Sequence, residues 1–252
     1  MITFSLQSGS NGNAIYVEAG QTRLLIDAGI SGKMAERRMG VHAREIRDVH
    51  ALLISHDHID HVRSAGVFQR RYQLPIYMTQ PTFKAIRGSL GATHDIRYFE
   101  AGQTLCLNDV LVHTIPTPHD AADGVVFVVE HEGRRLGVLT DLGHAFPGLF
   151  DLLASLDAAY IESNYDPDML ANGSYPWPLQ ERIRGPGGHL SNHESADLID
   201  AAGFKLRWAA LAHLSHENNH PDVAFDTHRR RLGRNFPLHL ASRYDVSPVM
   251  EV

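Results

Sequence analysis

Between residues 55 and 61 the chain reads Ser55-His56-Asp57-His58-Ile59-Asp60-His61, a run of histidines and aspartates that follows a buried-looking apolar stretch. Imidazole is the commonest side-chain metal ligand and also trades protons near neutral pH, and carboxylates hold the same cations. In an extended segment residues two apart face the same way, so His56 and His58 can point at one ion. Asp60 and His61, entering a following helix, turn toward another. A polar surface turn is the bland alternative, but ligands at this density seldom assemble by chance. The chain holds 17 histidines in all, so spacing decides which of them belong to a site.

Short apolar runs supply the elements that must position these groups. Strands are expected over 2–6, 14–18, 22–26, 51–54, 110–115, 125–130 and 135–139. Helices are expected over 33–39, 62–72, 80–86 and 148–154, over 194–202 with a cap near Ser191 or Asn192, and over 222–232 behind Pro221. Strands mixed with helices mean a layered α/β or α+β protein. With 252 residues, 43% hydrophobic and 21% charged, the chain can bury a large core, and disordered, collagen-like and coiled-coil classes are excluded. One domain spanning 1–252 is expected, with Arg184-Gly-Pro-Gly-Gly188 as a loop inside it. No export signal or membrane span is expected, because no apolar run is long enough and the start lacks a basic region. A single cysteine, Cys106, allows neither an intrachain disulfide nor a thiolate metal cage and fits a reducing cytoplasm. Cys106, Phe99 and Val110 to Val112 read as core. The formal charge of −6 does not attract a polyanion, so any nucleic-acid binding must be local.

The pattern His-X-His-X-Asp-His is the signature of the metallo-β-lactamase superfamily, which this sequence resembles. The superfamily's other motifs follow in order: Leu24-Leu25-Ile26-Asp27, Ile115-Pro-Thr-Pro-His119, Gly137-Val-Leu-Thr-Asp141 and Trp208-Ala-Ala-Leu-Ala-His213. The resemblance implies that His56, His58 and His119 hold one metal, Asp60, His61 and His213 a second, and that Asp141 bridges them. Asp27 would orient ligands from behind, or serve as a plain turn residue before Ala28. Imidazole and carboxylate without sulfur suit zinc, manganese or iron. Two divalent ions roughly 3.5–4 Å apart can share a hydroxide as nucleophile and take charge from a phosphodiester's oxygens. The fold this implies is a four-layer α/β/β/α sandwich, each half of the chain giving one sheet, with the metals at the sheets' shared edge.

Three further segments resemble the nucleic-acid-processing branch. Ile161-Glu162-Ser163-Asn164-Tyr165-Asp166 is similar to its acidic motif, which places Glu162 and Asn164 near substrate. Gly188-His189-Leu190-Ser191-Asn192 is similar to its Gly-His motif, which places His189 at the scissile phosphate as hydrogen-bond donor or acid. Ser191 is expected as a helix cap or a substrate contact. The interval between Glu162 and His189 is too short for a β-CASP domain. Together with the Gly-, Ser- and Asn-rich opening from Ser8 to Asn13, these motifs resemble the compact YycJ/WalJ family, and the resemblance implies a cytoplasmic exonuclease acting from the 5′ end of single-stranded or end-accessible DNA. Ser8 and Asn13 could approach a phosphate or simply form a hairpin turn. The basic clusters Arg37-Arg38, Arg70-Arg71, Arg182 with Arg184, and Arg229 to Arg231 with Arg234 each read first as solvated faces, and Arg182 with Arg184 is the best candidate among them for substrate. His216 and His220 either face solvent or compete for metal. The rivals are a small-molecule phosphodiesterase on a cyclic nucleotide or phosphonate ester, a glyoxalase II-like or lactonase-like ester hydrolase, and a metal-bound scaffold without turnover. No membrane or obligate protein partner is inferred.

Overall fold

Alternation along the strands decides the architecture. In the computed structural model, which describes residues 1–252 apart from the Phe204 side chain, the first half comprises β1 (Ile2–Gln7), β2 (Ala14–Ala19), β3 (Thr22–Ile26), α1 (Gly32–Val41), β4 (Ala51–Leu53), α2 (Ile59–Val62), α3 (Ala65–Tyr72), β5 (Ile76–Thr79), α4 (Gln80–Leu90) and β6 (Ile96–Phe99). The second half comprises β7 (Thr104–Leu107), β8 (Val110–Pro116), β9 (Val125–His131), β10 (Arg134–Leu139), α5 (Leu149–Ala154), β11 (Ala158–Glu162), α6 (Pro167–Asn172), α7 (Trp177–Arg184), α8 (Asn192–Ala202), β12 (Trp208–Ala212), α9 (Pro221–Leu232), β13 (Leu238–Leu240) and β14 (Met250–Glu251). Along β9, Val125, Phe127 and Val129 pack between the sheets while Val126 and Val128 face the helices. Both faces are buried, which is why the run is apolar throughout.

Two seven-stranded sheets result, one in the order β14, β1, β2, β3, β4, β5, β6 and the other β13, β12, β11, β10, β9, β8, β7. Three apolar cores define four layers. Ile15, Val17, Leu24 and Ile26 meet Phe127, Leu136 and Tyr160 between the sheets. Leu25, Leu52 and Ile54 pack on Ala35, Met39 and Phe68 outside the first sheet, and Leu139 and Ile161 on Leu149, Leu198 and Ile199 outside the second. The architecture is the four-layer sandwich expected. In each sheet an antiparallel half joins a parallel half: β3 to β6 run parallel in one, β10 to β13 in the other. Parallel strands end at the same edge, and loops beyond their carboxyl ends are where such sheets place sites.

Several expectations require correction. The division into halves is incomplete, because β14 returns to pair with β1 in the first sheet. The helix expected over 62–72 is two helices, since the Ser64 amide donates to Ala28 O at 2.9 Å and leaves the helical path. Cys106 is exposed: its neighbours Leu105 and Leu107 face inward, so the strand's alternation turns it out, as it does Leu111 on β8. The strands β5, β6, β7 and β13 and the helices α6 and α7 carry too little apolar pattern to be read in advance. No helix among the described residues is long and apolar enough to cross a membrane.

His228, buried where α9 packs on α8, donates from Nδ1 to Ala224 O (2.8 Å) and faces Ser195 Oγ (3.2 Å) with Nε2. Burial pushes its pKa down to about 4. The unfolded chain then binds a proton that the folded chain refuses, so stability is fully present above the ordinary histidine value and is lost as pH falls from there toward 4. Urea unfolding between pH 7 and pH 4 is expected to cost the wild type about 3 kcal/mol more than H228Q. Parallel losses would contradict this.

Candidate metal centre

Each cluster of metal-binding side chains stands just beyond a strand. Asp27 follows β3, the segment from His56 to His61 follows β4, His119 lies between β8 and β9, Asp141 follows β10, Glu162 ends β11 and His213 follows β12. Asp27, Asp141 and His213 have φ values of 65°, 56° and 56°. Non-glycine residues in the left-handed region carry strain that the surroundings must hold, and here three strand ends turn sharply to aim a side chain at one point. Backbone hydrogen bonds lace the turns together: Asn13 N to Asp60 O (2.8 Å), Ala28 N to His61 O (2.7 Å) and Gly29 N to Asn13 O (2.9 Å). Gly29 is required there, since a Cβ would sit 1.6 Å from Asp60 O.

Hydrogen-bond partners set which ring nitrogens face inward. His61 Nδ1 donates to Asp27 Oδ2 at 2.7 Å. Ser55 Oγ donates to Asp27 (2.9 Å) and accepts from His56 Nδ1 (2.9 Å). His119 Nδ1 donates to Gly188 O (2.8 Å), and His58 Nε2 donates to Asp120 O (3.2 Å). The His56, His58 and His119 rings therefore present their remaining nitrogen lone pairs to the interior. His58 Nδ1 and His119 Nε2 face each other at 3.2 Å. His61 Nε2 lies 3.2 Å from Asp141 Oδ2 and 3.5 Å from Asp60 Oδ2, and His213 Nε2 lies 3.1 Å from Asp60 Oδ2.

Lone pairs aimed at lone pairs and carboxylates are repulsive unless a cation lies among them. His56 Nε2 and Asp141 Oδ2 are buried without any hydrogen-bond partner, which is costly in a folded interior. The donor atoms of His56, His58 and His119 lie within 4.8 Å of one another, as do those of Asp60, His61 and His213, and those of His56, His61 and Asp141. The residues thus fit a divalent metal site. Without metal, protons meet part of the demand. Burial opposes charge on both rings, but Asp27 and Asp141 lift His61 well above its ordinary value, and Asp141, Asp60 and Glu162 lift His213 to about 10. Burial and the His61 ring push His56 well below its ordinary value. Burial would raise the carboxyls of Asp60 and Asp141, yet the imidazoles hold both low, His61 foremost on Asp60 and His213 on Asp141. A metal ion would displace the protons.

Beside the donors opens a cleft of about 230 Å³, walled by His58, Asp60, Asn164, Tyr175, Leu179, Arg182, His189 and Ser215. His189 donates from Nδ1 to Glu162 Oε1 at 2.6 Å, which leaves Nε2 toward the cleft. Glu162 is wholly buried and also accepts from the amides of Leu142 (3.0 Å) and Leu190 (3.3 Å). Burial would raise its pKa, but chiefly His189 holds it at about 2. Glu162 is therefore a positioning residue and not the substrate contact expected. Buried Asp27 likewise positions His61 and does not reach the cleft. Ser8 and Asn13 are corrected in the same way: Ser8 Oγ accepts from His213 N (2.9 Å), and Asn13 Nδ2 donates to Asp60 Oδ2 (3.1 Å). Ser191 is spent on capping α8 reciprocally with Glu194.

Asn164 donates to His213 O at 2.8 Å and keeps a place on the cleft wall. Arg184 bonds Gln180 and Glu181 on its own helix, whereas Arg182 lines the cleft and pairs with Asp120 Oδ2 at 2.6 Å. Sequence reasoning assigned no role to Ser55, to the Arg182–Asp120 pair, or to Asn219, whose Nδ2 donates to Ser163 O (2.8 Å) and Asn164 O (3.0 Å). The polar run from Ser215 to His220 is the signal that could have found Asn219. His216 lies edge-on to Tyr244, and His220 caps α9, so neither joins a ligand cluster among the described residues.

The sequence matches the metallo-β-lactamase superfamily over residues 8–213. The chain belongs to that superfamily. It is 34% identical over 222 residues to the exodeoxyribonuclease YycJ of Bacillus anthracis, covering 87% of this chain and 84% of the relative. It is 32% identical over 259 residues to the exodeoxyribonuclease WalJ of Streptococcus pneumoniae, covering 98% of this chain and 96% of the relative. Among solved structures, the metallo-β-lactamase fold protein YhfI of Bacillus subtilis superposes with a TM-score of 0.76 over 98% of both chains at 16% identity, a likeness of fold. This metallo-β-lactamase-fold chain is thus a hydrolase of the YycJ/WalJ kind with a divalent metal site.

Because Asp27 orients His61 from behind, D27N is expected to weaken divalent metal binding about 10- to 100-fold, measured by competition with a chromophoric chelator, while circular dichroism stays unchanged. Undiminished affinity would show that His61 needs no such support.

Proposed function

We propose that this chain is a metal-dependent exodeoxyribonuclease that hydrolyses phosphodiester bonds of single-stranded or end-accessible DNA, working from the 5′ end. The observation that carries the reading is His189, clamped on buried Glu162 with Nε2 toward the cleft, beside the metal-binding donors. Kinship with exodeoxyribonucleases over nearly the whole chain supports the same substrate class. His56, His58 and His119 would hold one divalent ion, and Asp60, His61 and His213 a second. Asp141, with Oδ1 near His119 and His213 and Oδ2 near His61, would serve both. Zinc, manganese and iron all suit this donor set. Two such ions would supply Lewis-acid stabilisation of phosphoryl charge and lower the pKa of water at the site.

The chain's own residues do the rest. Arg182, tethered to Asp120, presents a guanidinium on the cleft wall where a phosphate would lie. Glu162 keeps the His189 ring in place through Nδ1, so that the protonated ring can donate from Nε2 to a phosphate oxygen or to the leaving oxygen. Asn164 and Ser8 hold the backbone of His213, and Asn13 holds Asp60, so that both donors stay aimed at the same point.

The test is hydrolysis of 5′-labelled single-stranded DNA by protein stripped of metal and reloaded with manganese or zinc. H189A is expected to lower kcat by about 10²- to 10⁴-fold with KM little changed, and chelation to abolish activity reversibly. Full activity of H189A would remove the ring from the mechanism. Cleavage of a thioester or small phosphodiester, with DNA untouched under either metal, would replace the nuclease by an ester hydrolase.

A further inference from the structure

The metal cleft does not end at Ser215. That residue also walls a neighbouring pocket, which in turn shares Arg243 and Tyr244 with a groove of about 490 Å³. Arg37, Arg38, Arg63 and Arg243 line this groove, and among the described residues no carboxylate does. In the other basic clusters one arginine each has a carboxylate partner: Arg71 pairs with Glu36 at 2.9 Å, and Arg231 with Asp197 at 2.9 Å and Asp200 at 3.1 Å. The four groove arginines have no such partner among the described residues. Carboxylates outside the groove that act on these arginines are Asp245 on Arg38, and Glu217 and Asp60 on Arg243.

Arg38 has a structural task. It is buried, donates to Leu6 O at 2.8 Å, and also bonds Gln7 Oε1 and Tyr244 O, so it pins the 244 loop to β1 and α1. Arg37 and Arg63 are exposed, and Arg243 is half-buried with its guanidinium 5.9 Å from the Tyr244 ring centre. The Tyr244 side of the groove thus combines cationic forks with an aromatic face that is 60% exposed. Forks for phosphates and an open ring for a base are how proteins hold a single strand without reading its sequence. On a chain of net charge −6, a polyanion needs such a local concentration of cations.

We propose that Arg37, Arg63 and Arg243, with the Tyr244 ring, form a trough that carries the DNA strand away from the metal cleft past Ser215. The proposal rests on the nuclease reading above and names the part of the substrate that lies beyond the scissile bond. It also revises the reading of Arg37 as part of a merely solvated face. Arg182 serves the phosphate in the cleft, and the trough serves those that follow.

The test compares wild type with R37Q/R63Q/R243Q. Binding of a short fluorescein-labelled oligothymidylate is followed by anisotropy across a KCl series, with metal chelated to prevent cleavage. Turnover of bis(p-nitrophenyl) phosphate is measured on the metal-loaded proteins. The triple variant should bind the strand at least about tenfold more weakly, and its slope of log K against log salt should shrink by about 2, at about 0.7 per lost phosphate contact. Turnover of the small diester should be unchanged. If circular dichroism shows that R243Q disturbs the loop, R37Q/R63Q should still reduce the slope by about 1.4. Wild-type affinity and slope in the variants, while the wild type degrades the strand, would overturn the trough alone. A wild type that turns over the small diester yet neither binds nor degrades the strand would overturn the nuclease reading and the trough with it.

Discussion

Unshared lone pairs and negative charge, concentrated where two sheets end, are the constraint on which the rest of this molecule depends. His56 Nε2 and Asp141 Oδ2 are buried without partners, and His58 Nδ1 faces His119 Nε2 at 3.2 Å. Burying such groups costs several kcal/mol unless a cation joins them, so the protein must both pay that penalty and prevent the side chains from turning away. It does so from behind. Asp27, Ser55, Gly188 O and Asp120 O each take the outward hydrogen of a ring or of a hydroxyl that holds one, and the interdigitated sheet core keeps those acceptors in place. The strand-end residues with positive φ are where the strain of this arrangement is stored.

Much of the site was legible because its residues follow strands directly. An apolar run that ends in Asp or His is easy to see, and Asp27, Asp141 and His213 all stand that way. His-X-His-X-Asp-His declared itself by density. What the sequence could not convey was which polar residues reach solvent. Ser8, Asn13 and Glu162 look like substrate contacts by type, yet all three are buried and spend their hydrogen bonds on ligands or on His189. Arg182 and Arg184 are two apart on one helix, and only the helix's rotation decides that Arg182 faces the cleft. The layered fold was readable from strands such as β9, whose two buried faces make a continuous apolar run. The break between α2 and α3 was not, because it is caused by a hydrogen bond from Ser64 to distant Ala28.

Charge is distributed on the same principle. The protein is acidic overall, and most of its surface arginines are matched by carboxylates or carbonyls. Arg37, Arg63 and Arg243, which have no carboxylate partner among the described residues, line the groove proposed to receive a polyanion, while the raised His61 and His213 offset part of the charge of the metal-binding carboxylates. On the proposed reading such a site would separate two tasks: the strand ends would hold the ions, and the surrounding arginines the polymer.

The central claim is that the strand-end donors form two cation sites sharing Asp141. Anomalous X-ray scattering from crystals loaded with manganese or zinc tests it most directly. Two peaks are predicted on either side of the Asp141 carboxylate, one among His56, His58 and His119 and the other among Asp60, His61 and His213. A lone peak, or peaks at His216 and His220 with the strand-end donors empty, would contradict the account.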